Sequence, residues 1–317
     1  MLLSLAPMEG ITGYAFRRVH AEVFSALDRY YTPFISPLPK VGTPFSKRNS
    51  RELDPANNQG LNVVPQLLTN DADRFIWAAG LLADMGYKEV NLNLGCPSGT
   101  VVAKEKGSGL LRNPDRLEAF LVDVCERSPL PISVKTRVGI ESDDEYDELL
   151  ALFCRCGIAE FIVHPRVQKD FYDGTPRQEL YGKTLERAPF PVAYNGDIFA
   201  LDDYNALVAA YPQTRHVMIG RGIVANPALA RMIRGGAGLT HEELERFHDE
   251  LYQAYTDDMG GNAVFRMKEW WGYTEHAFAE PSSVHRIMRK TRRADEYEAA
   301  ARKIFSTEKL ADSPRLR

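Results

Sequence analysis

VNLNLGCPSG, residues 90–99, reads as a buried strand that breaks off in a glycine, a cysteine and a proline. Apolar residues fill it up to Leu94, and Gly95-Cys96-Pro97 then forces a bend. Similar β-rich runs lie on both sides: LLSLAP (2–7), YYTPFIS (30–36), NVVPQLL (62–68), ISVKTR (132–137), EFIVHP (160–165), PVAYNG (191–196) and RHVMIG (215–220). Amphipathic stretches follow most of them, at 73–86, 114–127, 143–156, 201–211 and 225–234. Strands alternating with helices predict a parallel sheet with crossover helices. Eight such runs predict a (β/α)8 TIM barrel, with an open doubly wound sheet as the alternative. The first βα turn lacks G-x-G-x-x-G, which counts against a dinucleotide fold.

Beyond GGAGL (235–239) the strand pattern stops. Thr240 and Glu243 have capping-box spacing, and helical patterns run over 241–257, 263–279, 282–291 and 294–306. The expected organisation is therefore a barrel domain over 1–237 and a small helical domain over 238–317.

The 317 residues are 44% hydrophobic and 26% charged, an ordinary globular composition. Apolar runs are too short and too charged for a membrane span. The start, MLLSLAPMEG, has no basic segment before a long apolar one, so no signal peptide is expected. Four irregularly spaced cysteines suit reduced thiols in a cytoplasmic protein. Cys154 and Cys156 complete no His/Cys cluster, so packing is expected there and no metal. Net charge is −4, but PSSVHRIMRKTRRA (281–294) carries Arg286, Arg289, Lys290, Arg292 and Arg293 and no acid. Lys40, Lys47, Arg48 and Arg51 form a second basic cluster. Local patches matter more than the total for an anionic partner; the plain alternative is a solvated surface.

A barrel keeps its chemistry at the C-terminal strand ends. There the runs end in Pro7-Met8-Glu9-Gly10, Gln66, Asn93 with Cys96, Lys135 with Arg137, His164 with Arg166, Asn195-Gly196-Asp197 and Gly220-Arg221-Gly222. Packing does not require polar residues to gather at one end; a ligand does. The last two ends, at strands seven and eight, suit a phosphate, though each alone could be a plain turn. A buried Lys135 needs an anion or a polar ring edge. Gln66 and Asn93 offer donor and acceptor edges to a flat heterocycle. Flavin mononucleotide fits this set; a Schiff-base lysine is the alternative but gives the amides no role. Cys96 could be a packed thiol, a nucleophile or a general acid.

The ordered set APMEGITGYAFR, QLL, NLNLGCPSG, SVKTRVG, VHPR, NGDI and MIGRG resembles the tRNA-dihydrouridine synthases from about residue 5 to 235. PMEG and FRMKEWWGYTEHAF (265–278) resemble the bacterial C-type branch. The resemblance implies an enzyme that reduces uridine to 5,6-dihydrouridine in the tRNA D-loop, at position 16. NADPH would reduce FMN, hydride would pass to C6 and Cys96 would protonate C5. It also implies that Pro7, Met8, Gln66, Lys135, His164, Asn195, Gly196, Asp197, Gly220 and Arg221 hold the flavin, joined by Asn93 on the reading above. RNA contacts are expected from Lys40, Lys47, Arg48, Arg166, Lys268 and the 286–293 cluster. No membrane and no obligate protein partner are expected. HPRVQKDFYDG (164–174) departs from the family's HGRT-type segment. The competing functions are a small-molecule FMN oxidoreductase of the dihydroorotate dehydrogenase type, which has no need of residues 240–310, and an RNA-binding protein without catalysis. Trp270 and Trp271 could contact RNA; bundle core is the expected place for at least one of them.

Overall fold

The computed structural model describes residues 1–39 and 42–312. The strands are β1 (Leu2–Leu5), β2 (Arg29–Tyr31), β3 (Val63–Val64), β4 (Gln66–Leu67), β5 (Val90–Leu94), β6 (Ile132–Arg137), β7 (Glu160–His164), β8 (Val192–Tyr194) and β9 (His216–Ile219). The helices are α1 (Tyr14–Phe24), α2 (Lys47–Leu53), α3 (Ala72–Asp84), α4 (Gly99–Val102), α5 (Pro114–Arg127), α6 (Tyr146–Arg155), α7 (Gln178–Arg187), α8 (Leu201–Ala210), α9 (Arg221–Ala225), α10 (Leu229–Ile233), α11 (His241–Met259), α12 (Ala263–Thr274), α13 (Pro281–Met288) and α14 (Ala294–Thr307).

The chain divides into two compact units, each discontinuous in sequence. One combines Met1–Pro7, Arg29–Gly196 and Tyr211–Met218; the other combines Met8–Asp28, Asp197–Ala210 and residues from Ile219 onward. The expected boundary at 237/238 falls inside the second unit, which also takes in α1, α8, α9 and α10.

The sheet order is β3-β2-β1-β9-β8-β7-β6-β5-β4, and the described ladders are parallel. β3 and β4 are two pieces of one strand, interrupted at Pro65, which has no N–H to give the ladder. The two ends of the order are thus the same strand, and the sheet closes as a TIM-type barrel. Side chains two apart share a face. Tyr31, Val64, Ile162, Ala193 and Met218, from five different strands, form one buried cluster with Ala6. Gln66, His164 and Asn195 hold matching positions on one side of that layer, and Ser4, Arg29, Glu160 and His216 on the other.

The lower layer is ionic. Glu160 accepts from Arg29 at 2.8 Å and pairs with His216 Nδ1 at 2.7 Å, and Ser4 Oγ meets His216 Nε2 at 2.7 Å. Burial pushes the Glu160 carboxyl up, but the bonds from His216 and Arg29 outweigh it and its pKa is lowered. Glu89 lies 3.4 Å from Arg29, and burial leaves its pKa raised.

In the second unit, Thr240 and Glu243 form the expected capping box on α11. Phe247 of α11 meets Phe16 and Phe24 of α1 edge to face. His20 stacks on Phe16, is fully buried, and its Nε2 donates to the Pro227 carbonyl at 3.0 Å. Trp270 and Trp271 are both core, at 1% exposure. Trp271 Nε1 donates to Tyr297 Oη at 3.0 Å, and that hydroxyl meets His248 Nε2 at 2.6 Å. No helix among the described residues is long and apolar enough to cross a membrane, and no group of described side chains is placed to hold a metal ion. Cys156 is buried and Cys154 half-buried, both outside any disulfide.

His20 gives this unit a specific acid sensitivity. Burial lowers its pKa from 6.5 to about 4. The unfolded chain therefore binds the proton first as pH falls. Its contribution is intact above pH 6.5 and is lost between 6.5 and 4, about 3 kcal/mol in all. Unfolding free energies of the wild type and His20→Phe should differ in slope over that window; equal slopes would exclude the effect.

Candidate active site

In the first unit the strand register puts Asn93 beside Lys135, and Arg137 beside His164. A chain of hydrogen bonds runs up the barrel interior from the ionic layer. Ser133 Oγ donates to Glu89 at 2.6 Å, Asn91 Nδ2 to Ser133 Oγ at 2.9 Å, and Gln66 Nε2 to Asn91 at 2.7 Å. Asn93 Nδ2 then donates to Gln66 at 2.7 Å, and Asn93 Oδ1 accepts from Gly95 N and Cys96 N, both at 3.0 Å. The Gln66 and Asn93 amides are therefore oriented by the protein itself. One N–H of each remains for a ligand. Asn93 also bends the chain that carries the thiol.

Three further contacts fix the Cys96 loop. Ser108 Oγ donates to the Cys96 carbonyl at 2.8 Å, and Gln168 Nε2 donates to Ser108 Oγ at 2.8 Å. Arg137 Nε donates to the Gly95 carbonyl at 3.0 Å. Gly107, at φ +56°, approaches so closely that an added Cβ would sit 2.9 Å from the Cys96 carbonyl oxygen, so a side chain there would displace the loop. Cys96 itself is half-buried and outside any disulfide.

Lys135 forms no hydrogen bond or ion pair among the described residues. Burial, with Arg137 nearby, lowers its pKa to about 7, and the Cys96 thiol acts in the opposite direction. Lys135 is half-buried, and a cation partly withdrawn from water without an anion is costly unless a ligand supplies one. His164 is buried, and its Nε2 lies 3.1 Å from Arg166 Nη1. An arginine only donates, so Nε2 is the acceptor and the His164 proton sits on Nδ1. Asn195 Nδ2 donates to the Met218 carbonyl at 2.8 Å. At Gly196 a Cβ would lie 2.1 Å from Tyr194 Oη, so no side chain fits.

In the second unit, Met8 opens a turn closed by Thr12: Met8 N donates to Thr12 Oγ1 at 2.8 Å. Arg221 opens α9 after Gly220, pairs with Asp197 at 2.7 Å, and lies 5.1 Å over the Phe199 ring. Gly222 packs so tightly that a Cβ would stand 2.0 Å from the Ile198 carbonyl oxygen. These contacts hold Asp197, Gly220 and Arg221 in one rigid corner. Pro7 follows β1 in the first unit.

The expected RNA contacts fare unevenly. Lys40 lies outside the described residues. Lys47 and Arg48 are exposed on α2, and Arg286, Arg289, Lys290, Arg292 and Arg293 are exposed on and after α13. Arg293 is paired with Asp295 at 2.8 Å. Lys268 is not aimed outward: its Nζ donates to the carbonyls of Arg289 and Thr291 at 3.0 and 2.8 Å, satisfying the end of α13. Arg166 is a correction. It is fully buried, donating to the Asp173 carbonyl at 3.1 Å and to the Gly174 carbonyl, and so cannot meet an RNA phosphate as it stands. A strand-end arginine looks the same in sequence whether it faces a ligand or braces the next loop. Arg137, Ser108 and Gln168, which the motifs did not single out as site residues, are what brace the thiol.

The family model for dihydrouridine synthase (Dus) matches residues 4–307. The chain is 30% identical over 252 residues to the tRNA-dihydrouridine(16) synthase of Neisseria meningitidis serogroup A, covering 75% of this chain and 74% of that one. It is 28% identical over 302 residues to the tRNA-dihydrouridine(16) synthase of Pseudomonas syringae pv. tomato, covering 92% and 95%. Its fold matches morphinone reductase with TM-score 0.52 at 12% identity, over 78% of this chain and 88% of that one. Histamine dehydrogenase from Rhizobium sp. 4-9 matches with TM-score 0.54 at 10% identity over 80% of this chain, which spans about half of that protein (48%). The solved structures speak for the barrel alone; the family model, spanning both units, decides the kinship. The chain belongs to the dihydrouridine synthase family.

Proposed function

We propose that this protein reduces uridine to 5,6-dihydrouridine in tRNA, using FMN and NADPH, in the cytoplasm, with position 16 of the D-loop as its target. The observation that carries the reading is the pairing of a backbone-locked Cys96 with a half-buried Lys135, unpaired among the described residues, on neighbouring strand ends. That ammonium suits the negative charge of a reduced flavin, and the remaining N–H groups of Gln66 and Asn93 suit the ring edge. By sequence resemblance Pro7, Met8, His164, Asn195, Gly196, Asp197, Gly220 and Arg221 complete the flavin-holding set. FMN, recharged by NADPH, would supply the hydride equivalent for C6 of the base.

The protein's own share is positioning and proton transfer. Asn93, Ser108 and Arg137 hold the Cys96 loop so that the thiol meets C5 in one orientation. Sγ gives up its proton to C5 as the C5–C6 double bond is reduced, and the thiolate is later reprotonated by water. A positioned thiol is a competent proton donor in general acid catalysis. The target uridine must leave its folded loop, and unstacking costs a few kcal/mol that RNA contacts offset.

Arg286, Arg289, Lys290 and Arg292 are exposed and form no ion pair among the described residues. They are the proposed phosphate contacts. Reversing all four charges should weaken tRNA binding and flatten its salt dependence, by about one unit of log–log slope for each phosphate no longer neutralised. An unchanged slope would remove this surface from the account. The reading as a whole is tested by the flavin absorbance of the purified protein, together with mass analysis of unmodified tRNA after incubation with NADPH.

A further inference from the structure

The loop after β7 contains a feature that neither packing nor the reaction above uses. Phe171 has φ +47° and ψ −99°, a region that L-residues with side chains avoid. The residue is 51% exposed, so apolar burial does not offset the strain. It makes no ring contact among the described residues.

Two buried arginines impose the conformation. Arg137, 1% exposed, donates through Nη1 to the Val167 carbonyl at 2.9 Å and through Nη2 to the Phe171 carbonyl at 2.6 Å. Arg166 grips the carbonyls of Asp173 and Gly174 from the other side of the turn. Phe171 N donates to the Gln168 carbonyl at 3.2 Å. Arg137 is the same side chain whose Nε holds Gly95, next to Cys96. One guanidinium thus ties the strained turn to the loop that carries the thiol, at the C-terminal end of the barrel strands. Arg137 also holds Gly95 and Arg166 also meets His164, but neither role requires an exposed phenyl ring in a strained pose.

We propose that Phe171 is a base-stacking residue that holds a nucleotide flanking the target uridine. The proposal rests on the tRNA reading above. RNA loops are recognised by stacking unpaired bases on aromatic faces, and a rigid ring loses little freedom in doing so. A ring held outward beside the Cys96 loop would keep the neighbouring base from restacking on the uridine once that base is extruded.

Dihydrouridine formation in unmodified tRNA is measured for the wild type, Phe171→Gly, Phe171→Leu and Phe171→Trp, together with each protein's thermal midpoint. Glycine and leucine should each lower kcat/KM for tRNA about 10-fold, mostly through KM, matching the loss of one stacked base. Tryptophan should stay close to wild type. The Phe171→Gly midpoint should not fall, and should rise if strain relief exceeds the entropy of the added glycine. A ring with a merely structural role would instead lower the midpoint on removal, and leucine would then serve as well as tryptophan. Wild-type kcat/KM in Phe171→Leu, with an active wild type, overturns this inference alone. A wild type that forms no dihydrouridine overturns the tRNA reading and this inference with it.

Discussion

Cys96→Ala should fold and bind flavin, yet form dihydrouridine about 10²–10⁴-fold more slowly, the usual loss for a missing general acid. That is roughly 3–5 kcal/mol of transition-state stabilisation. The loop should survive the change, because its anchors are backbone groups: Cys96 N to Asn93, the Cys96 carbonyl to Ser108, and the Gly95 carbonyl to Arg137. Cys96→Ser should recover little, since a hydroxyl is a far weaker acid than a thiol. If the sulfur were only packing, the reverse would hold: lower stability and normal turnover per folded molecule. Single-turnover oxidation of the pre-reduced protein by tRNA separates the two, since it reads only the step that needs the proton.

Trp271→Ala should cost about 3–5 kcal/mol of stability in the second unit, as for a buried aromatic truncated to a methyl. The residue is 1% exposed, touches Phe278 and Phe305 ring to ring, and gives Tyr297 Oη one of its hydrogen bonds. Removing it opens a cavity and leaves the Tyr297–His248 pair short of a donor. Urea unfolding followed by far-UV circular dichroism gives the number. A stable variant with weakened tRNA binding would mean that the indole serves the RNA and not the core.

The barrel was legible because parallel strands buried on both faces read as short apolar runs, and turn residues punctuate them. α11 was placed by Thr240 and Glu243, whose reciprocal bonds need nothing outside the helix. α7 was missed: QELYGKTLER has few apolar residues and a glycine in its middle. The break between β3 and β4 follows from Pro65, which was read as part of one continuous strand.

Cys96, Lys135, Gln66 and Asn93 stood out because polar residues on apolar strands are conspicuous. What they bond to was not legible. Asn91, Ser133, Glu89, Glu160 and His216 come together only when strands far apart in sequence become neighbours. Arg137, Arg166 and Lys268 carry the charge of an RNA contact but direct it to backbone carbonyls. Sequence gives the charge; only the fold shows which groups it meets. The strain at Phe171 is likewise a backbone angle that no composition or period reveals.

Dihydrouridine formation with Cys96 as the proposed acid is measured by incubating an unmodified tRNA transcript with the flavin-loaded protein and NADPH, then mapping the product by mass spectrometry of nuclease fragments. The wild type should add one H2 at a single D-loop uridine, and Cys96→Ala should form that product about 10²–10⁴-fold more slowly. An unaltered transcript, or equal rates for the two proteins, would contradict this reading.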